Sequence, residues 1–116
     1  MKVFHYEDVT PEILKDGVNG EVSMRWLISR ATGADNFAMR FFEVGPGSEA
    51  GPHSHDWEHE VFILEGNGEM RGKEGRFQLG PGSVVFIPGN EAHMLRNTGD
   101  KTMKYLCLIP TIPETT

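Results

Sequence analysis

Fourteen glycines and seven prolines are spread along these 116 residues, and they interrupt the chain before a helix of several turns can establish its periodicity. Between them lie short runs rich in Val, Ile, Phe, Trp and Met, residues that suit a pleated, half-buried surface. The pattern predicts strands over residues 3–6, 22–30, 36–44, 48–54, 59–65, 68–72, 75–79, 83–87, 92–98 and 102–109. Thr10 to Lys15 reads as one helical turn, with Thr10 as N-cap, Pro11 at the first helical position and Asp16-Gly17 as its end. Gly45-Pro46-Gly47, Gly66-Asn67-Gly68, Gly72-Lys73-Glu74-Gly75 and Gly80-Pro81-Gly82 read as turns of antiparallel hairpins. The class is all-β, and many short strands with no long helix to cover a sheet favour a closed barrel or a jelly roll.

The length suits one domain over residues 1–116, too short for a core plus a separate cofactor-binding domain. Seventeen acidic against eleven basic residues give a formal charge of −6 with no block of like charge, which argues against nucleic acid and anionic membrane as partners. Cys107 is the only cysteine, so an intrachain disulfide and a Cys-based zinc framework are both excluded. The N-terminus carries His5, Glu7 and Asp8 where a signal peptide needs an apolar run. A soluble, cytoplasmic protein is expected.

Chemistry concentrates in His53-Ser54-His55-Asp56-Trp57-Glu58-His59, followed at a distance by His93. Neutral imidazole is the commonest protein ligand of transition metals, and several converging imidazoles have few other uses. On a strand, His53 and His55 share a face about 6.6 Å apart. Four further extended residues would carry His59 about 13 Å away, so a shared ion requires a bend at Asp56-Trp57-Glu58. A strand beginning at His59 then points His59, Val61 and Ile63 inward and leaves Glu58 and Glu60 outward or at the rim. His55 and His59 also have the i, i+4 spacing of two helical zinc ligands, but Asp56 stands where that pattern needs Glu, and the flanks read as strand.

Gly47, His53, His55, His59 and Gly66 are spaced in a way that resembles the first motif of the cupin family. Gly82, Pro88, Asn90, His93 and Asn97 resemble the second. His59 stands where many cupins have a glutamate ligand, with Glu60 offering a different register, and Asn90 replaces a glycine. The strings from Trp57 to Gly66 and from Tyr105 to Pro110 look like the small, four-histidine, manganese-binding cupins. The resemblance implies a double-stranded β-helix, a metal-binding core over residues 47–97, the ligands His53, His55, His59 and His93, and a homodimer with residues 1–20 at its interface.

Four neutral imidazoles leave a divalent ion its full charge, and an octahedral ion keeps two positions for substrate, dioxygen or peroxide. A metal-dependent oxygenase-type enzyme acting on a small organic molecule is therefore expected. The alternatives are a non-catalytic small-ligand-binding or structural module and a metal-assisted isomerase. Manganese is favoured by the resemblance; iron, copper, nickel and zinc are compatible with the ligand type. Strand parity nominates Met39, Phe41, Ile63, Phe86 and Leu95 as an apolar pocket wall. Glu58 and Glu60 are candidates for orienting a ligand imidazole, and Trp57 for a lid over the bend. Cys107 is by residue type a small buried hydrophobe, and the resemblance makes it a pocket residue open to oxidation. Arg40 has a parity opposite to Met39 and Phe41 and is expected in a surface or interface salt bridge. His5 is expected to be no ligand.

Overall fold

The computed structural model describes residues 1–14 and 21–111. Their strands are β1 (Glu12–Ile13), β2 (Val22–Ile28), β3 (Phe37–Val44), β4 (Glu49–His53), β5 (His59–Glu65), β6 (Gly68–Gly72), β7 (Gly75–Leu79), β8 (Val84–Ile87), β9 (His93–Asn97) and β10 (Met103–Pro110). A six-stranded sheet runs β1-β2-β3-β10-β5-β8 and a four-stranded sheet runs β4-β9-β6-β7, every pair antiparallel. The fold is an all-β jelly-roll barrel. No helix among the described residues is long and apolar enough to cross a membrane.

Period-two burial builds the interior. Along β10, Met103, Tyr105, Cys107 and Ile109 are buried while the residues between them are only half-buried. Along β5, His59, Val61 and Ile63 point inward and Glu60 outward, the parity the sequence predicts. Tyr105 lies opposite Phe42 in the β10–β3 register, and the two rings stack at 4.9 Å. Each such buried side chain contributes about 1.5–3 kcal/mol of transfer free energy.

The N-terminal segment and the turns differ from expectation. Residues 3–6 form no strand; Tyr6–Asp8 make a 3-10 turn and the Tyr6 ring packs tilted against Phe41 at 4.6 Å. The helical turn at Thr10 is replaced by β1, because Glu12 and Ile13 find partners in Met24 and Ser23 of β2, whereas a lone helical turn closes few bonds for its entropy. Residues 15–16 and Gly17 of that turn lie outside the described residues. Of the four glycine turns named above, Gly72 to Gly75 alone closes a hairpin, between β6 and β7. The turns at Gly45, Gly66 and Gly80 pass the chain from one sheet to the other. A tight turn demands the same residues whether or not the strands it joins go on to pair.

Three close-packed features hold the loops that carry the histidines and the segment after His93. Gly51 has φ +108°, and a Cβ there would lie 2.9 Å from the His93 carbonyl oxygen and 3.2 Å from the His53 nitrogen, so the bulge between Ala50 and His53 requires glycine. A Cβ on Gly89 would lie 3.0 Å from the Asp56 carbonyl oxygen; next to it, the Asn90 N–H donates to the His55 carbonyl. The β8–β9 loop is thereby fastened to the bend. Asn90 has φ 68°, which explains why an asparagine can replace glycine here. Asn97 is 1% exposed. Its Nδ2 donates to the carbonyls of Val44 (2.8 Å) and Lys101 (2.7 Å), and its Oδ1 accepts from the Gly99 N–H at 2.9 Å.

Candidate metal centre

His53 ends β4 and lies directly opposite His93, the first residue of β9, in the small sheet. His59 opens β5 in the large sheet, opposite Ile87. His55 occupies the bend that joins the two sheets, its ring stacked on Trp57 at 4.5 Å and 7°. The four imidazoles therefore meet between the sheets. Their ring centres are 4.9 Å apart for His59–His93, 5.2 Å for His55–His59, 5.6 Å for His53–His55, 5.7 Å for His53–His93 and 6.1 Å for His55–His93.

That spacing is a test of metal fit. An imidazole bound through one nitrogen at about 2.1 Å has its centre about 3 Å from the ion, so rings sharing an ion stand about 4.5–6.5 Å apart. All five separations fall in this range. A second sign is the His59 Nε2, which is buried and has no hydrogen-bond partner in a residue only 5% exposed. A third is His93, whose Nδ1 lies 3.0 Å from the Glu91 carbonyl oxygen; the carbonyl can only accept, so the proton is on Nδ1 and Nε2 is left bare. Among the described residues no three His, Cys, Asp or Glu side chains are already gathered as a coordination shell. The ring-centre separations are the observation that suits an ion.

Burial and neighbouring charges favour the neutral form of three of these rings, His55, His59 and His93. Burial, reinforced by the Arg40 guanidinium and the other imidazoles, pushes His59 down to about 3. Burial also lowers His55, with the charge of His53 next, and lowers His93 against the opposing pull of the Glu91 carbonyl. In the unfolded chain these histidines titrate near 6.5, so the folded state binds fewer protons between that value and about 3. Stability that is fully present above pH 6.5 is lost as pH falls through this window. Denaturation midpoints of the metal-free protein should drop steadily from pH 7 to pH 4; a flat profile would contradict the buried neutral cluster.

A cavity of about 270 Å³ opens beside the four rings, walled by Arg40, Phe42, Val61, Ile87, Leu95 and Cys107 among others. Leu95, nominated by parity, and Cys107, nominated by the resemblance, both line it. Ile63 is fully buried on the row of His59 and does not line the cavity. Met39 and Phe41 take the opposite face of β3, with Phe41 under Tyr6, and Phe86 is 59% exposed. Their neighbours Arg40, Phe42 and Ile87 supply the wall instead. Glu58, Glu60 and Trp57 border a separate outer cleft of about 530 Å³ that no histidine lines; Trp57 reaches the centre only through its stack on His55. His5 lies away from the cluster and accepts from the Glu7 N–H in the 3-10 turn.

Arg40 is the correction of most consequence. Among the described residues it takes part in no salt bridge: its Nη2 lies 3.3 Å from His59 Nδ1 and 3.1 Å from Cys107 Sγ, and its guanidinium packs over Phe42 at 5.0 Å. β3 carries one charge on each parity, Arg40 and Glu43, so alternation alone cannot say which face is buried. Pairing of Arg40 with Cys107 decides it, since Cys107 belongs to the buried row of β10.

A family model described as a cupin domain matches residues 40–109. An oxalate-binding protein of Thermotoga maritima is 32% identical over 112 residues, covering 92% of each chain. The polyketide cyclase RemF of Streptomyces resistomycificus superposes with a TM-score of 0.87 at 35% identity, over 97% of this chain and 80% of that one. A Thermotoga maritima protein described as a predicted oxalate decarboxylase gives 0.83 at 29% identity, over 96% and 100%. With a family model spanning more than half its length and a relative of this identity over nearly all of it, the chain belongs to the cupin family.

Proposed function

We propose that the chain is a metal-dependent enzyme acting on small, oxygen-rich anions, with His53, His55, His59 and His93 holding one divalent ion and oxidation by dioxygen or peroxide as the reaction. The observation that carries this reading is the buried, partnerless His59 Nε2 among three further imidazoles. When bound, such an ion supplies Lewis acidity and, if redox-active, electron transfer to or from its oxygen ligands. Manganese or iron suits that role.

The chain's own residues define the substrate. Arg40 brings a fixed positive charge to the cavity wall beside imidazoles that burial keeps neutral, so the centre favours an anion. Phe42, Val61, Ile87 and Leu95 exclude bulk water and strengthen that attraction. At about 30 Å³ per water, 270 Å³ holds roughly nine water-sized groups. A small carboxylate or enolised diketone fits. Relatedness to a protein named for oxalate binding agrees with this size and charge.

The test loads metal-free protein separately with manganese, iron, copper and zinc and offers small carboxylates, diketones and phenols. Oxygen or peroxide consumption with a redox-active metal, absent with zinc, is expected. Likeness to a polyketide cyclase favours a non-oxidative second reading, metal-assisted cyclisation or isomerisation. Exchange of solvent protons into the substrate without oxidant uptake would establish that reading and overturn the first.

A further inference from the structure

We propose that Cys107 is a positioning residue whose sulfur accepts a hydrogen bond from the Nδ1–H of His59, leaving His59 Nε2 bare and able to hold a metal. The use to which the bare nitrogen is put rests on the reading above; the tautomer itself does not.

Three atoms form a nearly equilateral triangle: Arg40 Nη2, His59 Nδ1 and Cys107 Sγ, with sides of 3.3, 3.1 and 3.4 Å. The guanidinium can only donate, and the sulfur is the weak acceptor. The neutral imidazole is the one member with a choice, because its proton can sit on either nitrogen. If the proton is on Nε2, Arg40 donates to Nδ1 and the Nε2–H is left buried without an acceptor, at the full desolvation cost of a lone donor. It also cannot ligate a metal. If the proton is on Nδ1, both donors converge on Sγ, and Nε2 presents a lone pair.

Arg40 and Cys107 therefore act on His59 in opposite senses. Alone, the cation would draw a lone pair from Nδ1 and turn the ring into the tautomer that blocks ligation. The sulfur accepts from the cation and the ring together and prevents this. Strand register places it there: Cys107 is paired with Arg40 on one side and with Val61, two residues beyond His59, on the other. His93 reaches the same state by a different acceptor, the Glu91 carbonyl, so the two ligands share one protonation pattern.

The experiment records side-chain nitrogen NMR of metal-free, 15N-labelled protein and zinc affinity by calorimetry. Wild-type His59 should carry its proton on Nδ1. Cys107→Ala should move it to Nε2 and weaken zinc binding about tenfold or more. Adding Arg40→Met to Cys107→Ala removes the competing donor and should recover affinity above that of Cys107→Ala alone, which a merely structural role of Cys107 would not produce. If Cys107→Ala does not fold, Cys107→Ser, whose hydroxyl also accepts, should keep the wild-type tautomer. An Nε2–H in wild-type His59, an unchanged tautomer and affinity in Cys107→Ala, or a double variant weaker than the single one would overturn the proposal. Wild-type protein that binds no zinc would instead defeat the metal reading, and the His59 tautomer would still decide the role of Cys107.

Discussion

His59→Ala is expected to lower affinity for a divalent metal by about a hundredfold or more, since loss of a residue that merely orients a ligand already costs 10–100-fold. His59 is the one imidazole of the four supplied by the large sheet, and the variant leaves His53 and His93 of the small sheet and His55 of the bend in place. The ring is buried among Arg40, Cys107 and the other imidazoles, so its removal leaves a hole that the barrel can tolerate at a cost of order 2–3 kcal/mol. The metal-free variant should still melt cooperatively, and the rise in melting temperature on adding metal should disappear. His5→Ala serves as the control: that histidine is exposed and caps a surface turn, so melting should fall only slightly and metal affinity should not change. Affinity within a few-fold of wild type in His59→Ala would remove this residue from the metal site.

Asn97→Ala should lower stability by about 2–4 kcal/mol. The side chain is almost fully enclosed and binds the Val44 and Lys101 carbonyls and the Gly99 N–H. Removing it deprives the buried Val44 carbonyl of its donor, at about 1–3 kcal/mol when unsatisfied, and leaves the half-buried Gly99 N–H and the Lys101 carbonyl to whatever water enters the gap. At roughly 3–5 °C per kcal/mol for a chain of this size, the melting temperature should fall by about 10 °C. Asn97→Asp tests the direction of the bonds: a carboxylate keeps the acceptor for Gly99 but repels both carbonyls, so it should be no better than alanine. A loss below 1 kcal/mol would show that the clamp is redundant.

How far the sequence alone specifies this molecule depends on which residues carry an unambiguous period. β5 reads correctly because His59, Val61 and Ile63 alternate with Glu60, and a single polar residue settles the face. β8 is apolar throughout, Val84-Val85-Phe86-Ile87, so its inward pair emerges only from its register, with Ile87 beside His59 and Val85 beside Val61. The convergence of the four histidines follows from reach and from the need for a bend, and the bend is there. What holds the bend was not legible: the Asn90 N–H bonded to His55 and the close approach of Gly89 to Asp56 are contacts between segments far apart in sequence. Asn97 is visible as a motif residue, while its function as a three-way clamp appears only when the ends of β3 and β9 lie side by side. Turn chemistry located the corners but not their destination, since pairing across sheets is a tertiary choice.

The central claim is that the four histidines, drawn from both sheets and the bend, bind one ion together. X-ray absorption at the metal edge of protein loaded with one equivalent of manganese tests it most directly. Four imidazole nitrogens in the first coordination sphere, with one ion bound per chain, are expected. A sphere with fewer than three imidazoles, or binding at well below one ion per chain, would contradict it.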